Sequence, residues 1–153
     1  MRPPGTVHAL GAGLLIAEIQ QASDTTYRLF DWNRVDRDGK PRQLHIQQAL
    51  DVIDYARGPV DPVTPTATSD PEIERLVQCD KFVLDRWRFN KLHMLPDDSQ
   101  FHIFAVVEGG VSINANSENC NLRRGGTLLV PATMRGVRIS PQDQAVLLDM
   151  YLP

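Results

Sequence analysis

The chain has 153 residues, which suits one domain, or one domain plus a piece of another. A hydrophobic fraction of 42% and a charged fraction of 23% are ordinary for a globular protein. The formal net charge of -3 gives no general attraction to nucleic acid or to an anionic membrane, so neither is expected as a partner. Cys79 and Cys120 share no short motif and read as free thiols of a reducing compartment. Met1-Arg2 is followed at once by Pro3-Pro4, with no sign of a signal peptide. The apolar run Leu14-Leu15-Ile16-Ala17 ends at Glu18, too short to cross a bilayer. A cytoplasmic location is expected.

Residues 5 to 32 read as three strands. Thr6 to Leu10 is the first, and Gly11-Ala12-Gly13 turns the chain. Leu14 to Gln20 is the second, closed by a turn at Ala22-Ser23-Asp24. Thr25 to Trp32 is rich in β-branched and aromatic residues and is the third. Strand alternation puts Tyr27, Leu29 and Asp31 on one face and Arg28, Phe30 and Trp32 on the other. Asp36-Arg37-Asp38-Gly39 is a turn. It resembles the start of a calcium loop, but the place for the bidentate glutamate holds Gln47. Residues 43 to 55 predict a helix burying Ile46, Ala49, Leu50 and Ile53, with His45 on its solvent side.

Residues 58 to 71 hold Pro59, Pro62, Pro65 and Pro71 among threonines and aspartates, and read as a linker. Beyond it the pattern is β throughout. Strands are predicted at Glu74–Gln78, Phe82–Phe89, His102–Val107, Val111–Ala115, Thr127–Val130, Val137–Ile139 and Ala145–Tyr151. Many short strands with frequent turns argue for an antiparallel sandwich or barrel.

Four residues here can carry chemistry. His8, on a turn beside a strand, offers a neutral imidazole to a divalent metal. Arg28 is always charged and can steady an anionic intermediate or a phosphate. Asp24 and Glu18 are carboxylates that could pair with it across a sheet.

The residues also resemble a family. Pro3, Gly5 and His8 match the second motif of cupins, which are small jelly-roll barrels. The longer combination Gly5-Thr-Val-His-Ala-Leu-Gly11, Glu18-Ile-Gln-Gln21 and Ser23-Asp-Thr-Thr-Tyr-Arg28 is similar to type I mannose-6-phosphate isomerase, especially its short bacterial branch. The remainder resembles the C-terminal part of that family more loosely.

That resemblance implies an all-β fold: a cupin-type jelly roll over residues 72–153, preceded in residues 1–57 by the terminal strands of a first barrel and one helix. It implies aldose-ketose isomerisation of mannose 6-phosphate and fructose 6-phosphate, with zinc as metal. His8 would be a metal ligand, Arg28 the catalytic cation, and Asp24 and Glu18 would line the substrate pocket and orient Arg28. The early ligands have no counterpart here, so the chain is expected to be truncated and inactive alone. The second barrel looks metal-free: Gly125 and Pro131 keep the motif spacing, but Thr133 and Gly136 stand where glycine and histidine are expected. A non-catalytic sugar-phosphate-binding module, or a structural one, is the competing reading. Strand edges without partners in residues 5–32 would favour a homodimer.

Overall fold

Along Val83–Phe89 every second residue is buried, the period of a strand with one face turned inward. The same alternation runs through His102–Glu108 and Ala145–Tyr151, and these three strands form the centre of the fold. The computed structural model describes residues 4–20, 22 and 25–153. The chain divides into two compact units, Met1–Pro62 and Val63–Pro153.

The second unit holds ten strands: β1 (Thr66–Ala67), β2 (Ile73–Gln78), β3 (Val83–Phe89), β4 (His93–Met94), β5 (His102–Glu108), β6 (Gly110–Ala115), β7 (Glu118–Arg123), β8 (Thr127–Val130), β9 (Arg138–Pro141) and β10 (Ala145–Tyr151). They form a six-stranded sheet in the order β1-β2-β3-β10-β5-β8 and a four-stranded sheet in the order β4-β9-β6-β7. Every pairing is antiparallel. The core is shared by both sheets. Trp87, Phe89, Phe104 and Leu147 come from the first, and Val111, Ile113 and Ile139 from the second. This is the expected jelly-roll arrangement, and apolar burial drives it.

The chain passes from one sheet to the other at Gly109, whose φ is 71°. A Cβ there would lie 2.2 Å from the carbonyl oxygen of Gln144, so only glycine fits.

Three strands escaped the sequence reading. β4 has two residues, and β7 is a polar edge strand in which only Leu122 is buried. β1 lies inside the stretch read as linker. Thr66 and Ala67 pair with Arg75 and Glu74, because the extended backbone that the surrounding prolines favour can still join a sheet edge.

The first unit has one helix, α1 (Ile46–Val52), shorter than the predicted span 43–55. Of its predicted stripe only Ala49 is buried, while Ile46 and Leu50 are exposed. The three strands expected over residues 6–32 do not form. The described residues there form turns and irregular backbone, without a ladder. A strand needs a neighbour for its backbone N–H and C=O groups, and the described residues of this unit contain only one isolated bridge, Val35 to Pro41. The alternation predicted for residues 25–32 ends at Trp32 and Asn33, both with φ 54°. A left-handed tryptophan is a strained conformation, and it turns the chain back on itself, with the Arg34 amide donating to the Asp31 carbonyl at 3.0 Å.

Candidate functional site

Arg28 is held from several sides. Its amide donates to Nδ1 of His45 at 3.3 Å, and its carbonyl accepts from the His45 amide at 2.8 Å. The His45 ring lies 6.2 Å from that of Tyr27, so His45 is half-buried and a spacer, not the solvent-side residue expected. The Arg28 guanidinium donates to the Gln43 carbonyl at 3.3 Å and lies 3.7 Å from the Asp31 carboxylate.

Asp31 is the centre of this cluster. It is 6% exposed, yet three arginines converge on it. Arg34 Nη2 donates to Oδ1 at 2.7 Å, and Arg42 Nε donates to Oδ2 at 2.7 Å. Arg42 Nη2 also donates to Oδ1. The forked bonds from Arg42, opposed by burial and reinforced by Arg34, pull the Asp31 carboxyl down to about 2. Among the described residues of this cluster three guanidiniums meet one carboxylate, so positive charge is in excess there. Sequence reading found Arg28 but missed Asp31, Arg34, Arg42 and His45. The available signal was the spacing of Asp31 and Arg34 across a turn.

Among the described residues neither Glu18 nor His8 contributes a hydrogen bond or ion pair to the cluster. Glu18 is exposed, and Arg28 is oriented by Asp31 and Gln43 where Glu18 was expected to act. Asp24 lies outside the described residues. His8 is exposed, and its Nδ1 lies 3.1 Å from the Thr6 carbonyl. Only an Nδ1–H can make that bond, so Nε2 is the ring nitrogen that remains to meet an ion.

His8 borders a cleft of about 450 Å³ that also includes Thr6, Ile53, Asp54 and Tyr55. Gly5 lets the chain approach α1 there. Its φ is 78°, the Asp54 amide donates to its carbonyl at 3.2 Å, and a Cβ would lie 2.8 Å from the Val52 oxygen. One nitrogen is not a metal centre. Among the described residues no three His, Cys, Asp or Glu side chains gather to hold an ion, so these residues do not by themselves fit zinc.

In the second unit, one end of the interior is polar. Arg75 donates to the buried Asp85 through Nε at 2.9 Å and Nη2 at 3.1 Å, and the Tyr151 hydroxyl donates to Asp85 at 2.8 Å. His102 sits beside them, its ring 5.0 Å from that of Tyr151. Gly136, at the motif-histidine position, forms part of a turn between β8 and β9.

Residues 72–148 match the family model described as mannose-6-phosphate isomerase, cupin domain. A putative mannose-6-phosphate isomerase of Bacillus subtilis is 34% identical over 134 residues, covering 86% of this chain and 42% of that protein. The mannose-6-phosphate isomerase of Streptococcus mutans is 35% identical over 135 residues, covering 87% and 42%. The chain therefore spans about 42% of the length of these relatives. The crystal structure of the Bacillus subtilis mannose 6-phosphate isomerase superposes with a TM-score of 0.68 at 26% identity, over 86% of this chain and 41% of that one.

Proposed function

We propose, from the premise that this chain belongs to the mannose-6-phosphate isomerase cupin family, that it serves the interconversion of mannose 6-phosphate and fructose 6-phosphate with Arg28 as its catalytic cation. That reaction moves a proton between C2 and C1 through a cis-enediolate, so negative charge develops on oxygen. A fixed guanidinium stabilises such charge, or binds the phosphate, at no cost of reorganisation. The observation that carries the reading is the anchoring of Arg28 by His45, Gln43 and Asp31 within a cluster that has cationic charge to spare.

Zinc is the family's expected metal. His8 offers it one nitrogen, and the chemistry proposed for this chain runs through Arg28 instead. Among the described residues no helix is long and apolar enough to cross a membrane. We place the activity in the cytoplasm.

A second reading, a sugar-phosphate-binding module without turnover, is favoured by the second unit. Its interior is filled by Trp87, Phe89, Phe104 and Leu147, and Gly136 carries no ligand where the motif has histidine.

The test is an isomerase assay with added zinc, together with calorimetric titration of mannose 6-phosphate, on the chain and on Arg28→Ala. Turnover abolished by the substitution supports the first reading. Binding without turnover that survives the substitution supports the second, since Arg28 lies in the first unit. Neither turnover nor binding overturns both.

A further inference from the structure

We propose that His102 is a proton-operated clasp, holding the loop of residues 95–101 to the six-stranded sheet while its imidazole carries both protons and releasing the loop when one is lost. The ring is 3% exposed and lies between two carboxylates. Nδ1 is 2.8 Å from Asp149 Oδ1, and Nε2 is 3.3 Å from Asp98 Oδ2. An ionised carboxylate only accepts hydrogen bonds. A neutral imidazole has a single N–H and can satisfy one of the two, whereas an imidazolium donates to both.

The two partners are not equivalent. Asp149 is on β10 and is 2% exposed, so it cannot turn to water. Asp98 is in the loop, with a third of its side chain exposed. Loss of one proton therefore frees Asp98.

Asp98 also organises its own loop. Its other oxygen accepts from the Gln100 amide at 2.9 Å, across Ser99, which has φ 61°. A serine in that region is held there by its surroundings, and the Asp98 carboxylate is one of its restraints. The loop has a second tie that does not titrate near neutrality. Arg135 reaches Asp97 at 2.7 Å and the Ser99 hydroxyl at 3.3 Å from the turn that carries Gly136. Release of Asp98 therefore loosens Asp98 and the Gln100 amide, while Arg135 still holds Asp97 and the Ser99 hydroxyl.

The charged and titratable groups around the ring come from every strand packed on it. β10 supplies Asp149 and Tyr151, and the loop supplies Asp98. Asp85 on β3 is neutralised by Arg75 on β2. The β8 residue opposite in register, Val130, is uncharged, and Phe104 stacks on the ring at 5.9 Å. Burial opposes the imidazolium, but Asp149 and Asp98 together outweigh it, and the His102 pKa stands above its ordinary value. The clasp is therefore fully engaged below the ordinary imidazole pKa and is lost as pH rises through the raised one.

The test is a titration of the His102 Cε1–H by NMR, paired with amide exchange of residues 98–100 corrected for its intrinsic pH dependence, on the whole chain. His102 is expected to titrate above ~6.5, with protection at Gln100 falling several-fold across that titration. Asp98→Asn, a substitution in an exposed loop, is expected to lower the His102 pKa and to give fast exchange at every pH. Titration at or below the ordinary value, exchange that stays flat through it, or an Asp98→Asn chain indistinguishable from the parent would each overturn the proposal.

Discussion

Two aspartates, Asp31 in the first unit and Asp149 in the second, are both buried, at 6% and 2% exposure, yet their acidities move in opposite directions. Asp31 is pulled down to about 2 by hydrogen bonds from Arg42 and Arg34, against the effect of its burial. Asp149 is pushed up by burial, only partly offset by His102. The difference lies in the partner and its surroundings. Guanidinium keeps its charge at all accessible pH and reaches solvent from the Asp31 cluster. Imidazole can lose its charge, and the Asp149 pair is enclosed by sheet. One carboxylate is thereby fixed in a single charge state, and the other is coupled to the proton concentration.

Removing the enclosed carboxylate gives the largest effect. Asp149→Ala leaves His102 with one acceptor and an interior gap, and is expected to destabilise the second unit by about 3–5 kcal/mol. A urea midpoint within error of the parent would show that the polar end of the interior tolerates an imidazole held by Asp98 alone. Gly109→Ala comes next, at about 3 kcal/mol, since it combines an unfavourable φ with a backbone collision.

The matching substitution in the first unit, Gly5→Ala, meets a longer approach to backbone and no enclosing sheet. Its expected cost is about 1–2 kcal/mol, read as lost amide protection at Asp54. An equal cost for the two glycines would erase the contrast between the units.

The smallest effect appears in acid. Because the Asp31 pKa is depressed, its contribution is complete above the ordinary carboxylate value of ~3.9 and disappears as pH falls through about 2. The Nε–H signals of Arg34 and Arg42 are expected to hold their positions down to pH ~4 and to move below it. Movement between pH 5 and 7 would mean that Asp31 is not the partner of these arginines.

The units also differ in how far their sequences disclose them. In the second, the predicted strands Thr127–Val130 and Ala145–Tyr151 match β8 and β10, and Phe82–Phe89 differs from β3 by one residue. Apolar alternation is strong where both neighbours and a core are present. It fades in β7, where most side chains face water, and nothing in Glu118–Arg123 signals a strand. In the first unit the β-branched and aromatic content of residues 25–32 misleads, because propensity describes fit to a sheet and the described residues supply no sheet to fit. Arg28 was legible through its motif. Asp31 was not, since an aspartate near a turn commonly serves the turn, and only the return of Arg42 from eleven residues away makes it the centre of a cluster.

The chain has two tryptophans, and they fall one to each unit. Trp32 is 58% exposed beside the Asp31 turn, while Trp87 is 3% exposed in the core, its indole N–H without a hydrogen-bond partner among the described residues. The native emission should therefore separate into a red, iodide-quenched component from residues around 32 and a blue, quencher-resistant component from the barrel interior. Each half of the molecule carries its own intrinsic fluorophore, so the order in which the two halves lose structure can be followed by colour, without attaching a label.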